Sequence, residues 1–306
     1  MVKPGSAQLS RNAGPSWGFQ FLVRAERSLP AWIFRLALMV GTWVALAFMP
    51  VQRRYSQAYL QEALSRRPRL TDVWRHFFAL VELIMLRLHI AGGAEAKCAL
   101  DPRSSSDFET LIASGEPALF GTFHFGHSDL IGFLLGARGR RVSMIRLQME
   151  NSEDTRLLKQ QFGRWISFIW VNDRRNLLFA IKSAIEAGES LAMQCDRVEF
   201  SAKTGDFRFL GAVRRFPITI YHLSILFVRP VMVCLGVPDG EGGTRVLASP
   251  LFKADPAASR DENMRHAHRH FQGVLTELET LIRQYPMLWF NFLPLNPEVP
   301  PPGGSR

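Results

Sequence analysis

The stretch FGTFHFGHSD, residues 120–129, places a histidine directly after an apolar run and a carboxylate five residues later. On one regular helix His124 and Asp129 would stand about 140° apart. If a strand ends at His124 and a turn at Gly126 leads into a helix, the two side chains can meet. A carboxylate bonded to one imidazole nitrogen fixes the tautomer and leaves the other nitrogen as a general base. Because no G-x-S-x-G motif occurs, the spacing predicts a base whose nucleophile belongs to the substrate.

Two other interpretations of the same residues stay open on spacing alone. His124 can end a strand and Asp129 can cap a helix without any contact between them. His124 and His127 can ligate a metal, but no third ligand follows at a recognisable spacing, so we predict no metal site. The stretch RHAHRH, residues 265–270, is predicted to be a solvated basic face for a similar reason: its arginines repel cations and no acid completes a ligand set.

Elements that alternate between strand and helix surround this motif. Predicted strands cover 118–124, 141–147, 166–171, 190–196 and 229–237, and predicted helices cover 128–139, 151–163, 174–188, 217–227 and 258–284. The helix at 217–227 is expected to open at Pro217. This pattern predicts an α/β domain with a mainly parallel or mixed sheet flanked by helices.

Ligands of such sheets collect beyond the carboxyl ends of the strands. His124 and Asp196 each stand at that end of a predicted strand. Their positions are an independent reason to place both in a functional site.

Basic charge is concentrated in the first third of the chain. The net charge is +10, and residues 1–100 contain 13 Lys and Arg against 5 Asp and Glu. The basic residues flank apolar segments, as expected at an anionic membrane surface, and no nucleic-acid reader motif accompanies them. We therefore predict a membrane partner and no nucleic acid. The three cysteines are widely spaced and predict no disulfide framework, which is typical of a reducing compartment.

Two segments near the N-terminus are candidates for membrane contact. Residues 36–51 contain no charge, and a helix of this length covers about 24 Å, less than a ~30 Å hydrocarbon core. A tilted span or a re-entrant dip is expected, with a buried soluble helix as the alternative. Residues 70–92 predict an amphipathic helix on the membrane or on the catalytic body, or a core helix. The predicted division is a basic, membrane-associated helical region at 1–95, an α/β domain at 96–293 and a flexible tail at 294–306.

Taken in order, these features resemble the lysophospholipid/glycerol-phosphate acyltransferase superfamily. His124-x4-Asp129 after an apolar strand is similar to its signature motif. The rest of the chain, over roughly residues 17–293, resembles the bacterial lipid A lauroyl/myristoyl acyltransferase branch. The stretches that carry this resemblance are the basic N-terminal helix, QFGRW with Arg164, LAMQCDRVEF with Asp196, FRFLGAVRRFP and YPMLWFNF.

The resemblance implies a membrane-associated transfer of a fatty acyl group from an acyl thioester to a hydroxyl of a lipid or glycolipid, as in lipid A biosynthesis. It implies that His124 deprotonates the hydroxyl and that Asp129 holds His124. Arg164 is expected to bind a phosphate through its guanidinium fork, and Asp196 to support the site or Arg164. Arg146, at a strand end, is a weaker substrate-binding candidate. Trp289 and Phe290 are expected in the core or at an interface.

Partners and location follow from the same resemblance. The expected donor is acyl carrier protein or a coenzyme A thioester, used as cosubstrate with no bound cofactor. By their charge, three basic side chains are candidates to contact an acidic carrier protein or phospholipid headgroups, with a solvated surface as the alternative: Arg197, Arg214 and Arg215. The expected location is the bacterial inner membrane with the catalytic domain on the cytoplasmic side. Asp129 stands where the lipid A branch has Glu, so another lipid or a pigment-like amphiphile stays open as acceptor. Two alternatives are a non-catalytic membrane scaffold of the same fold and a thioesterase, with water as acceptor.

Overall fold

The computed structural model describes residues 16–91, 93–146, 163, 165–173, 175–198, 201 and 203–296. The helices are α1 (Ser16–Ser28), α2 (Ala31–Phe48), α3 (Pro50–Leu64), α4 (Leu70–Ala91), α5 (Ser105–Ser114), α6 (Ile131–Ala137), α7 (Leu177–Glu186), α8 (Thr219–Phe227) and α9 (Arg260–Gln284). The strands are β1 (Cys98–Leu100), β2 (Leu119–Thr122), β3 (Val142–Arg146), β4 (Ile166–Trp170), β5 (Ser190–Gln194), β6 (Thr204–Phe209), β7 (Ala212–Pro217), β8 (Val231–Pro238) and β9 (Thr244–Ala248).

Within these ranges, seven strands form one sheet in the order β1-β9-β8-β2-β5-β3-β4. The five strands from β8 to β4 are mutually parallel, and β9 runs antiparallel to β8. The predicted fold class, a mainly parallel or mixed sheet flanked by helices, is confirmed. The predicted helix at 151–163 lies outside the described residues except for Gly163 at its end.

The sheet buries side chains on both of its faces. Leu119 belongs to a cluster that includes α8 and α9, whereas its neighbour Phe120 belongs to a second cluster with α5 and α6. Successive strand residues point to opposite faces, so a strand that reads as one apolar run must be covered on both sides. All four residues of β2 are buried, and the partly exposed imidazole of His124 comes only beyond its end.

An antiparallel hairpin of β6 and β7 stands apart from the main sheet. Its turn is formed by Leu210 and Gly211, both with positive φ (48° and 76°), as in the tight turns that join twisted strands. The sequence analysis predicted neither of these two strands. It also placed Pro217 at the start of a helix, which is wrong: Pro217 is the last residue of β7, and α8 begins at Thr219.

Helix α2 corresponds to the predicted apolar segment. Among the described residues it is the one helix whose length and composition would allow it to cross a membrane, and only 17% of its residues are buried. Trp32 and Phe48 are 70% and 83% exposed. Such exposure is unlike a core helix of a soluble protein and favours contact with lipid for this helix.

Helix α4 packs along one side of α2 and also onto the α/β body. Phe34 of α2 clusters with Met85 and Leu88 of α4, and the Trp43 and Trp74 rings stack with centroids 5.7 Å apart. Further along α4, the completely buried His76 contacts the C-terminal segment that follows α9. Of the surfaces considered for this helix, the face of α4 that contains His76 therefore packs onto the α/β body. The predicted domain limits at 95 and 293 stay predictions.

Candidate active site

His124 lies two residues beyond the end of β2, the fourth and middle strand of the seven-stranded sheet formed by the described residues. Its side chain is 27% exposed, while the flanking Phe123 and Phe125 are fully buried. The aromatic neighbours anchor the backbone in the core, so the imidazole is held at the surface of a packed structure. This is the rigid placement that a general base requires.

Asp196 reaches the same point from the neighbouring strand. Thr122 of β2 is in register with Gln194 of β5, so residues 124 and 196 each lie two positions beyond a paired residue. The His124 Nδ1 atom is 2.8 Å from Asp196 Oδ1, and the His124 backbone N–H donates to Oδ2 over 2.9 Å. The structure therefore brings together His124 and Asp196, which the sequence had predicted to lie at the same edge of the sheet.

A third group, the indole of Trp289, completes the surroundings of this carboxylate. Trp289 Nε1–H donates to Asp196 Oδ2 over 3.0 Å, although the two residues are 93 positions apart. Trp289 is buried, as expected from the sequence. Its hydrogen bond to Asp196 was not predicted. No local spacing signals such a long-range contact.

The hydrogen bonds keep Asp196 ionised despite its burial. Burial by itself would raise the pKa of Asp196, but the charge of His124, the hydrogen bond from its ring, Arg197 and the Trp289 N–H together hold the pKa below its usual value. An ionised carboxylate can only accept, so Nδ1 of His124 must carry the proton that it shares with Asp196. The lone pair of His124 is then on Nε2, where it can take a proton.

Arg197 lies next to the same ring. Its Nε is 3.2 Å from His124 Nδ1, and its Nη2 donates to the Phe290 carbonyl over 3.4 Å. Since Nδ1 is protonated toward Asp196, Arg197 contributes positive charge to the pair rather than a hydrogen bond to the ring. Arg214, which the sequence analysis grouped with Arg197 as an external contact, is buried and donates to the carbonyls of Phe209 and Asn296; that prediction is wrong for Arg214.

Asp129 lies in the short 3-10 turn Ser128–Leu130, five residues after His124. Its side chain is outside the described residues, so its predicted pairing with His124 stays a prediction. Among the described contacts of the His124 ring, the carboxylate on Nδ1 is that of Asp196. Arg164 also lies outside the described residues, and its predicted role in phosphate binding stays a prediction.

The turn between His124 and Asp129 depends on Gly126, which has a φ of +51°. A Cβ at this position would lie 2.1 Å from the backbone oxygen of Gly236 on β8. His127 N–H donates to that same oxygen over 2.8 Å, which ties the turn to the sheet. The path of the chain after His124 is therefore fixed by backbone contact with β8, and it requires glycine.

We expect Gly126→Ala to lower the free energy of unfolding by at least about 2 kcal/mol, because it adds a steric conflict to the ~1–2 kcal/mol penalty of positive φ. The matched control is Gly139→Ala, where φ is +78° but a Cβ meets nothing within 4 Å. Denaturant unfolding of both variants separates the two terms. Equal losses in the two variants would contradict the proposed close approach of the turn to β8.

A large cavity of about 1060 Å³ begins at His124 and extends to the N-terminal helices. Polar side chains line it near the sheet, among them His124, Arg146 and Arg197, and small side chains of α2 line its far wall, among them Ala37, Gly41 and Ala45. Arg146 ends β3 with its guanidinium 5.9 Å from the centre of the Phe168 ring. The cavity combines an imidazole held by a carboxylate, positive charge and a long apolar wall.

No family model matches the chain, and no curated protein sequence matches it. Among solved structures, the chain is similar to the crystal structure of the 1-acyl-sn-glycerophosphate (LPA) acyltransferase, PlsC, from Thermotoga maritima. That similarity covers 81% of this chain and 97% of the other, with 13% sequence identity and a TM-score of 0.40.

Proposed function

We propose that this protein is a membrane-associated acyltransferase that moves a fatty acyl group from a thioester to a hydroxyl of a lipid or glycolipid. One observation carries the proposal: an imidazole oriented by a buried carboxylate stands on the wall of an apolar cavity of about 1060 Å³. The volume is at the upper end of small-molecule sites, and apolar walls suit an acyl chain.

The reaction needs one base and no protein nucleophile. Nε2 of His124 takes the proton of the acceptor hydroxyl while the oxygen forms a bond to the thioester carbonyl carbon. The tetrahedral intermediate then loses the thiolate as the carbon–sulfur bond breaks, and the imidazolium returns its proton to the sulfur. The products are an ester and a free thiol. Asp196 stabilises the imidazolium between the two proton transfers, and general-base catalysis of this kind contributes roughly 10²–10⁴ in rate.

The acyl chain is assigned to the apolar end of the cavity. Each methylene transferred from water to an apolar site contributes about 0.8 kcal/mol, so the length of chain that the cavity accepts determines donor preference. Gly41 of α2 lines this cavity, and a Cβ added there meets nothing within 4 Å. A larger side chain at this position would point into free space and occupy it.

We expect Gly41→Phe to shift donor preference toward shorter acyl chains. Displacing two methylenes costs roughly tenfold in the relative rate with the longest chain, and the shorter chains should be used as before. Ala47→Phe is the matched control, because Ala47 is exposed on the same helix and does not line the cavity. Competition between thioesters of different length measures the preference. An equal effect of both substitutions would place the acyl chain elsewhere.

The acceptor and donor are proposed from charge and from location. Arg146 in the cavity wall, together with Arg164, would bind a phosphate of the acceptor or of the donor's pantetheine arm. The donor is acyl carrier protein or coenzyme A, and the acceptor is a lipid A precursor or a related amphiphile. Helix α2 would place the cavity at the cytoplasmic side of a bacterial inner membrane, where both substrates meet.

The experiment that tests this function is lipid mass spectrometry of a deletion strain and of the same strain complemented with the wild-type chain. The complemented strain should contain a lipid heavier by one acyl group that the deletion strain lacks. Identical lipid profiles would reject the transferase and favour the scaffold. A change in free fatty acid without a new acylated lipid would favour a thioesterase.

A further inference from the structure

We propose that His76 and Trp289 are positioning residues for His124, and that helices α3 and α4 thereby belong to the catalytic unit rather than acting as a separate anchor. The inference rests on the proposed function, since what is positioned is the proposed base. It is based on a continuous series of hydrogen bonds from α3 to the His124 ring.

The first part of the series is the segment Leu288–Phe290, which follows α9 and runs beside the residues around His124. Phe290 N–H donates to the His124 carbonyl over 2.7 Å, and Gly126 N–H donates to the Leu288 carbonyl over 2.7 Å. Phe125 and Trp289 form an antiparallel bridge between these bonds. The segment therefore holds the backbone on both sides of the catalytic ring.

The same segment also holds the carboxylate. The Trp289 indole donates to Asp196 Oδ2, and the other oxygen of that carboxylate faces Nδ1 of His124. A shift of the Trp289 backbone would move the indole and change the direction of the carboxylate. The orientation of His124 thus depends on where residue 289 is held.

His76 of α4 holds the backbone of Trp289 in place. The His76 Nε2 atom is 2.9 Å from the Trp289 carbonyl, and Nδ1 is 2.8 Å from Ser56 Oγ on α3. A carbonyl can only accept, so Nε2 carries the proton and Ser56 donates to Nδ1. Burial lowers the pKa of His76 to about 4, so the ring stays neutral and keeps this single tautomer at physiological pH. A buried ring with both nitrogens bonded fixes its partners tightly.

Further contacts bind α3 and α4 to the same segment. Tyr59 of α3 donates to the Pro286 carbonyl over 2.7 Å, and its ring meets Trp289 edge-on with centroids 5.3 Å apart. The His76 ring stacks on Phe292 at 4.4 Å. The segment is therefore held by the N-terminal helices on one side and holds the proposed active site on the other.

Three variants test the series. Trp289→Phe removes the N–H and keeps an aromatic ring; His76→Phe removes the donor and keeps the stacking ring; His76→Gln places an amide N–H where Nε2 stood. We expect Trp289→Phe and His76→Phe each to lower kcat about tenfold to a hundredfold with KM nearly unchanged. Trp289→Phe loses the hydrogen bond to the Asp196 carboxylate, and His76→Phe loses the hydrogen bond that holds the Trp289 carbonyl. His76→Gln should restore most of the rate. Trp74→Phe is the matched control: it makes the same Trp-to-Phe change on α4, at a residue that takes no part in this series of hydrogen bonds. It should leave kcat unchanged.

The pH dependence of kcat/KM distinguishes a positioning role from a loss of stability, because a variant that is only less stable would keep the same pH profile. The charged groups that face the His124 ring among the described residues are Asp196 and Arg197, and all the variants keep both. Without the Trp289 N–H, more of the negative charge on Asp196 acts on the ring, which favours the imidazolium. The acidic limb of kcat/KM should move to higher pH in Trp289→Phe. Rates are measured well below the unfolding temperature of each variant.

A direct view of the ring separates this inference from the proposed function. Histidine labelled with ¹⁵N in the full-length protein in detergent micelles reports the His124 tautomer and its titration, and His124→Gln assigns the signal. We expect the Nδ1–H tautomer in the wild type and in His76→Gln, and an altered tautomer ratio in Trp289→Phe and His76→Phe.

The outcomes are distinct. If acyl transfer is never seen but the tautomer ratio changes as expected, the positioning is supported and the proposed function fails. If transfer is seen while Trp289→Phe and His76→Phe keep the wild-type kcat, pH limb and tautomer and lose only thermal stability, the positioning inference is overturned.

Discussion

His124→Ala is expected to lower acyl transfer by about 10²–10⁴, because it removes the group that takes the proton from the acceptor. The loss should be in kcat, since the apolar cavity that binds the acyl chain stays in place. Truncation of a partly exposed ring should have little effect on folding or on membrane attachment. The measurement is steady-state transfer by purified protein in phospholipid vesicles, with sedimentation of the vesicles to follow attachment.

The matched control is His266→Ala, which removes an exposed imidazole on α9. It should leave kcat and vesicle attachment at wild-type values. Turnover of His124→Ala at more than a tenth of the wild-type rate would show that this ring is not the base. Loss of attachment or of cooperative unfolding in His124→Ala would mean that the residue has a structural role instead.

Asp196→Asn is expected to have an effect as large as that of His124→Ala, a fall in kcat by up to about 10⁴. Its amide nitrogen can donate to Nδ1, which places the ring proton on Nε2 and removes the lone pair that the reaction needs. A substitution of this kind in Ser-His-Asp enzymes has an effect of similar size for the same reason. The change keeps the size and shape of the side chain, so the packing around Trp289 should survive.

The size-matched control is Asp206→Asn, at an exposed position of the β6–β7 hairpin, where the carboxylate pairs with Arg215. That variant should behave as the wild type. Asp196→Asn with wild-type kcat would indicate that the orienting carboxylate is another one, and Asp129→Asn would then be the variant to compare. If Asp196→Asn and Asp129→Asn each lose activity while Asp206→Asn keeps it, both Asp196 and Asp129 are needed for the reaction.

The parts of the fold that the sequence predicted are those decided by local burial. Strands β2 and β5 are short apolar runs bounded by turns, and their pattern is set by neighbours along the chain. Because parallel strands end at one edge of a sheet, the positions of His124 and Asp196 followed from these two strands alone. The apolar segment of α2 could likewise be predicted from neighbouring residues alone.

The parts that the sequence did not predict depend on contacts between distant residues. Trp289 looks like any buried aromatic residue until the fold places its indole against Asp196. His76 sits in a helix whose pattern fits a membrane surface as well as a protein core, and only the packed structure shows its bond to residue 289. The β6–β7 hairpin was missed because its turn uses Leu210 at positive φ, where Asn or Asp is the usual signal.

The central claim is that an imidazole held by Asp196 delivers an acyl group to a lipid hydroxyl. The most direct measurement is product analysis by mass spectrometry after the purified protein is incubated with an acyl thioester and bacterial lipid vesicles. Wild-type protein should release one thiol for each ester formed on a lipid, and His124→Ala should form neither above background. Equal ester formation by His124→Ala, or free fatty acid as the sole acyl product of the wild type, would contradict the claim.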